Sequence, residues 1–396
     1  MLSKRAREVK PSPTLAIDAK AKALIAEGVD VVNFGVGEPD FDTPDFIKQA
    51  AKDALDKGFT KYTPAAGTVE LKDAVIEKFK KDNNLSYTRE EIIVSCGAKH
   101  CLYNIAQALF GPGDEVLIPA PYWVSYPDQV VLNDAIPVIV QTSEKNGFVA
   151  TVEELEAKIT PRTKALILNS PSNPTGGIYE RKALEKVAGV ALKHGIIVIS
   201  DEIYEKLIYD GREHVSIASL DNEIKKSTIV VNGLSKSHAM TGWRIGFAAG
   251  PKEIIKAMSD IQSQSTSNPN SIAQKASVAA LRGPTDFIRM MHAEFEKRRN
   301  EIVKGLNKIP GFVCALPPGA FYAFPNVTAI YGKSCDGRVI KNSTELALHI
   351  LEKGRVALIP GGPFGNDNHI RLSYATSLDN IKKGVERVRE AIALLK

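Results

Sequence analysis

A mainly parallel α/β fold with a second, smaller domain is what the sequence predicts, on three observations. From about residue 46 onward, stretches of helical periodicity alternate with short apolar runs. The runs are continuous in Ile, Val and Leu, as strands buried on both faces are, and lack the alternation of a half-exposed sheet. Beyond about residue 300 the alternation gives way to helices and closely spaced short strands, the pattern of an α+β unit. A length of 396 residues leaves room for two or three domains.

The elements follow in order. The first 45 residues end in FGVGEPDFDTP, too loop-rich to fold alone, and are expected to pack on another part of the chain. Strands are expected over 92–95, 115–118, 164–169, 196–200 and 228–232, each a short branched apolar run. Between them lie amphipathic segments such as 152–159 and 182–193, spaced like helices packed on a sheet. Residues 251–300 read as helical, with Arg298-Arg299 and the nearby acids as a charged helix face. After 300 come a helix, strands over 312–316 and 321–324, a helix, strands over 357–360 and 370–374, and a last helix.

Composition excludes several classes. The chain is 44% hydrophobic and 24% charged, ordinary for a globular protein and unlike a disordered or collagen-like one. Lys plus Arg exceed Asp plus Glu by 51 − 46 = 5, spread over the whole length, so no nucleic acid partner is expected. The four cysteines (Cys96, Cys101, Cys314 and Cys335) form no C-x-x-C pair, and the seven histidines add no cluster, so no metal site is expected. The start, MLSKRAREVKPSP, lacks the apolar core of a signal peptide, and no apolar run is long enough to span a bilayer. A cytoplasmic location is the expectation.

Ligand sites in open α/β sheets lie beyond the carboxyl ends of the strands. After 92–95 comes Cys96-Gly97-Ala98-Lys99-His100, opening a helix over 101–110. Its free N–H groups suit a phosphate, or it is an ordinary helix start. After 115–118, Trp123 of PYW is either core or a plane on which a flat ligand stacks. After 164–169, SPSNPTGG presents the Asn173 amide from a rigid turn, or is only a turn. After 196–200, Asp201 would need a partner if buried, and Tyr204 would share its face if the segment turns helical. After 228–232 come Ser235-Lys236 in a Gly- and Ser-rich loop, then Arg244. His100 and His238 read as local structure, and Gly361–Gly365 as a plain turn instead of a flexible lip.

Together these bring an aromatic plane, an amide, a carboxylate, a phenol, a lysine and an arginine to one edge of one sheet. A lysine can form a Schiff base with an aldehyde, a carboxylate can hold a cationic ring nitrogen, and a helix N-terminus with Arg244 can hold a phosphate. Those requirements describe pyridoxal 5'-phosphate. A lysine of lowered pKa also serves as a proton shuttle.

The motifs SKSHAMTGWRIG, NSPSNPTG, SDEIY, PYW, KYTPAAG, GEPDF and RLSYA carry a resemblance. The chain resembles class I aminotransferases of fold type I, nearest the bacterial aspartate and aspartate/prephenate branch, from about Lys10 to the last helix. That resemblance implies a large α/β domain over 46–290 and a small α+β domain over 291–396. The small domain is built from both chain ends, and residues 1–45 form an arm and part of it. It implies that Lys236 holds the cofactor covalently and moves the substrate proton, and that Asp201 pairs with the ring nitrogen. Tyr204 and Asn173 would bond the ring's phenolic oxygen, and Trp123 would stack on the ring and border the substrate. Gly97, Ala98, Lys99, Ser235 and Arg244 would surround the phosphate, with Tyr62 of a second chain, so a homodimer with shared sites is implied. Arg371 would take the substrate α-carboxylate as a planar fork, with Asn173 and the Gly37 backbone beside it.

Two positions depart from the family pattern. Gly233 stands where many relatives carry a phosphate-binding serine, leaving Ser235 to compensate. No dedicated arginine for a distal carboxylate is evident. In the resembling branch that task falls to a lysine at the position of Lys99, helped by Ser12 or Thr14; otherwise Lys99 is a solvated lysine at a helix start. The implied reaction is ping-pong transfer of an amino group from L-aspartate to 2-oxoglutarate, with prephenate or an aromatic amino acid as the alternative substrate.

Overall fold

Branched apolar runs pair into the central sheet, and a computed structural model shows how the rest of the chain is arranged around it. The structure describes Arg7 and residues 13–396, with residues 13–18 described by their backbone alone. Along the chain, β1 is Val32–Asn33, β2 Ile92–Ser95, β3 Glu115–Ala120 and β4 Ile136–Gln141. Then come β5 Thr163–Asn169, β6 Ile197–Asp201, β7 Thr228–Gly233 and β8 Gly246–Ala249. The strands β2 to β8 form one seven-stranded sheet in the order β2-β8-β7-β6-β5-β3-β4. Pairings among β3 to β7 are parallel, and β8 runs antiparallel to both neighbours.

All five strands expected before residue 250 are present, their bounds shifted by no more than two residues. The sheet has two more. The strand β4 is an edge strand that opens on exposed Ile136 followed by half-buried Pro137, so it does not read as a strand buried on both faces. The strand β8, Gly-Phe-Ala-Ala, carries no β-branched side chain and only one large one, so it does not register as a branched run. The helix expected over 152–159 is only Val152–Glu156. The 251–300 stretch is three helices, Lys252–Ser265, Ser271–Arg282 and Asp286–Leu306. They are broken where Pro269 and Pro284 remove the backbone donor.

Further along, β9 is Tyr322–Ala323, β10 Ser334–Cys335, β11 Arg338–Val339, β12 Val356–Ala357, β13 Ile359–Pro360 and β14 Ile370–Ser373. The expected strand over 312–316 is absent. Only Val313 makes an isolated bridge, to Asn326, and it is 64% exposed with Pro317-Pro318 close behind. Instead β10 and β11 form a hairpin whose turn residues, Asp336 (φ 50°) and Gly337 (φ 76°), both take the left-handed conformation that a two-residue turn demands. The strands β13, β14 and β9 make a three-stranded antiparallel sheet, and β1 pairs in parallel with β12. Ala21, Val32 and Phe34 accordingly share one apolar core with Phe295, Leu346, Ile350, Val356 and Ile381. Among the described residues no helix is long and apolar enough to cross a membrane.

Arg298 and Arg299 correct the expectation of a solvated helix face. Both are buried, Arg299 to 1% exposure. Arg299 donates from Nη1 and Nη2 to the two carboxylate oxygens of Asp210, each at 2.8 Å, and from Nη1 to the Pro317 carbonyl at 3.2 Å. Arg298 pairs with Asp40 at 2.6 Å and Glu294 at 2.9 Å, over the rings of Phe41 and Phe295. Both thus fasten the long helix to distant segments. Arg299→Ala is expected to destabilise the protein by about 2–4 kcal/mol through lost packing and an unpaired carbonyl. Urea unfolding measures this, and a loss below about 0.5 kcal/mol would contradict it.

Candidate active site

The carboxyl ends of β2, β5, β6 and β7 open onto a cavity of about 520 Å³. Its other walls come from residues 35–38 and from Tyr322, Phe364 and Arg371 of the C-terminal part. Six expected residues, Trp123, Asn173, Asp201, Tyr204, Lys236 and Arg371, line this one space, together with Gly37, Ala98, Lys99, Ser235 and Arg244. Gly97 caps the helix Ala98–Leu109 just behind, where a Cβ would come within 2.5 Å of Arg244 Nη2.

Asp201 ends β6 and is buried. Its Oδ2 accepts from the Tyr126 hydroxyl at 2.8 Å and its Oδ1 from the Ile203 N–H at 3.2 Å. Burial still pushes its carboxyl up to about 6, so the group favours a cationic partner in the cavity. The segment after it turns without becoming helical, and the Tyr204 hydroxyl lies 2.7 Å from that of Tyr322. Lys236, partly buried in the loop after β7, donates from Nζ to the Gly37 carbonyl at 2.7 Å. Desolvation lowers its amine to about 8, with Glu38 opposing. Arg371 on β14 donates to Asn173 Oδ1 at 2.9 Å and to the Gly35 carbonyl at 2.6 Å, while its buried Nε has no partner.

At the opposite end, Arg244 is exposed and donates to the Thr241 carbonyl at 2.7 Å beside the N-terminus of the helix Ala98–Leu109. Lys99 is exposed at the rim with Nζ 4.7 Å over the Trp123 ring. Gly233 is packed into the sheet, where a Cβ would lie 3.1 Å from the Gly246 Cα, so a side chain has little space there. Tyr62 does not reach the cavity and is 90% exposed. Ser12 and the side chain of Thr14 lie outside the described residues.

The sequence reading missed Tyr126, Tyr322, Phe364, Glu38 and Thr241, all at the cavity. Tyr126 carried a signal, since it follows Trp123 by three residues at the start of the short helix Ser125–Val131. Gly362–Phe364 forms a short 3-10 turn that buries the Phe364 ring 5.1 Å from the Arg371 guanidinium. His100 and His238 serve locally: His100 Nδ1 accepts from the Cys96 N–H, and His238 Nδ1 meets the Ser237 hydroxyl. Behind Asp201, Glu202, Glu205 and His214 bring possible ligand atoms within 4.8 Å, a cluster that spacing along the chain did not disclose. Each already has protein partners, among them Ser200, Ser216, Lys78 and Asn83.

Residues 29–388 match the family described as Aminotransferase class I and II. The chain belongs to that family. It is 53% identical over 388 residues to the aspartate aminotransferase of Geobacillus stearothermophilus, covering 98% of each chain. It is 47% identical over 393 residues to the probable aspartate/prephenate aminotransferase of Aquifex aeolicus, covering 99% of this chain and 98% of that one. Among solved structures, the aspartate aminotransferase from Rhizobium meliloti superposes with a TM-score of 0.97 at 46% identity, over 100% of both chains. The α/β fold of this aminotransferase is therefore that of the solved aspartate aminotransferases. Class I and II aminotransferases are, as a family, pyridoxal phosphate enzymes.

Proposed function

We propose that this aminotransferase transfers the amino group of L-aspartate to 2-oxoglutarate with pyridoxal 5'-phosphate, as a cytoplasmic homodimer. The observation that carries the reading is Lys236, Asp201 and Arg371 facing one cavity. The donor set fits the cofactor at each end. A buried carboxylate raised to about 6 suits a cationic ring nitrogen, and a helix N-terminus with Ser235 and Arg244 suits a phosphate. Bound there, pyridoxal phosphate supplies an electron sink for the charge that forms when the substrate α-proton leaves.

The chain's own residues do the rest. Lys236 Nζ would hold the cofactor and, as a free amine, would take and return the α-proton. Asp201 keeps the ring nitrogen charged, Tyr204 and Asn173 hold its phenolic oxygen, and Trp123 covers its face. Arg371 orients the α-carboxylate with the Gly37 backbone, and Lys99 at the rim meets the distal one. Residues 46–290 would hold the cofactor, with the two chain ends bringing Arg371 over it. Tyr62, exposed and away from the cavity, would reach the phosphate of a second copy. The four free cysteines suit a reducing compartment.

The visible spectrum of the purified, pyridoxal-phosphate-loaded protein tests the reading. Aspartate should bleach the cofactor band and 2-oxoglutarate should restore it. A band indifferent to aspartate but bleached by glutamate and restored by prephenate would favour the second reading, which the aspartate/prephenate relative supports. No band after loading would overturn the cofactor assignment.

The lowered amine of Lys236 also sets a pH dependence. Only the neutral amine attacks an aldehyde, and a pKa of about 8 lies below the ordinary value of 10.5. Covalent uptake of pyridoxal phosphate by the apoprotein, trapped with borohydride, should quicken about tenfold per pH unit up to that value and then level off. A rate still climbing towards 10 would mean an unperturbed lysine.

A further inference from the structure

Tyr322 lies between the two groups that the proposed reaction must coordinate. It sits on β9, directly paired with Ser373 of β14, two residues from Arg371. Its ring lies 4.6 Å beneath the Arg371 guanidinium, and its hydroxyl is 2.7 Å from that of Tyr204. Both tyrosines are buried. The same hydroxyl rests against Gly37, where any Cβ would come within 2.8 Å of it, so only glycine leaves it room. One side chain thus touches the substrate-carboxylate arginine, the residue whose carbonyl holds Lys236, and the phenol assigned to the cofactor.

We infer that Tyr322 is a positioning residue that donates its proton to Tyr204, leaving the Tyr204 proton free for the cofactor's phenolic oxygen. The inference rests on the cofactor reading above. Within a hydroxyl pair only one proton lies between the two oxygens. If Tyr322 supplies it, the Tyr204 oxygen accepts and its own O–H becomes a stronger donor, because consecutive hydrogen bonds polarise one another. The reverse arrangement would spend the Tyr204 proton on Tyr322 and leave none for the cofactor. The Arg371 cation over the Tyr322 ring favours the first arrangement by making that phenol the more acidic partner. The charged groups facing the pair and Lys236 are Arg371, Asp201, Glu38 and Arg244, from four separate segments. Removing the Tyr322 hydroxyl leaves every one of them in place.

Tyr322→Phe keeps the ring beneath Arg371 and deletes only the donor. A weaker Tyr204 donor stabilises less the deprotonated form of the loaded protein, in which the visible band of the protonated form is lost. The pH midpoint of its visible band should therefore move up by about half to one unit, the weight of one hydrogen bond. In a Tyr204→Phe background the same substitution should move it no further, since the route from Tyr322 to the cofactor is gone. An unmoved midpoint in Tyr322→Phe overturns the inference, as does an equal shift in both backgrounds, which would show that Tyr322 acts without Tyr204. A parent protein without a visible band would fell the cofactor reading itself, an outcome distinct from either.

Discussion

Lys236→Ala is expected to lower the turnover of amino transfer by at least about 10⁴-fold, because the proposed reaction uses this lysine as both covalent anchor and proton carrier. No neighbour can take over. The carboxylates at the cavity are Asp201, tied to Tyr126 at the ring-nitrogen end, and Glu38, whose carboxylate accepts from Thr241 at 2.7 Å, while the amines of Lys22 and Lys99 belong to exposed residues of its lining. The fold should survive. The substitution costs one hydrogen bond, to the Gly37 carbonyl, worth about 1 kcal/mol. It also relieves the partial burial of an amine that the fold holds below its ordinary pKa. Melting temperature and far-ultraviolet circular dichroism should stay close to the parent while the coupled aspartate assay falls to background. Substantial transamination by a folded Lys236→Ala protein would refute the proposed chemistry.

Arg371→Ala should reduce kcat/KM for amino and 2-oxo acids by about 10³-fold, the usual scale for losing a buried charged hydrogen-bond partner. The guanidinium is fixed before substrate arrives by Asn173, the Gly35 carbonyl, and the rings of Tyr322 and Phe364 on its two flanks. That fixation makes geometry part of the effect. Arg371→Lys restores a charge without the planar fork and should recover only part of the loss. The deficit should be similar for aspartate and for an aromatic amino acid, since both present the same α-carboxylate. A deficit confined to aspartate would move Arg371 to the distal carboxylate.

The site was legible where function follows strand order. Asn173, Asp201 and Lys236 come directly after buried runs, and the parallel topology turns that adjacency into one edge in space. Tyr322 and Phe364 were not legible, because they reach the cavity through packing of the C-terminal strands, far along the chain from the residues they meet. Arg298 and Arg299 misled for the same reason. Their partners Asp40 and Asp210 lie 258 and 89 residues away, so local charge patterning describes a solvated face that does not exist. The edge strand β4 and the strand β8, without a β-branched residue, show where the apolar-run criterion fails. The Asp336-Gly337 hairpin did carry its signal, in a dipeptide whose left-handed turn is nearly specific.

Arg371 is a buried cation whose hydrogen-bond partners are neutral oxygens, with one nitrogen, Nε, left without a partner and no carboxylate paired to it among the described residues. A fold selected for rigidity alone would not keep such a group, since an isostere without charge avoids the desolvation cost. The native state is therefore less stable than its framework allows, and the deficit is stored where the proposed reaction would bring a substrate anion. Any small carboxylate that seats there should raise the melting temperature, even one unable to react, by mass action on the folded state. Thermal shift with simple dicarboxylates then becomes a map of the enzyme's appetite, independent of turnover.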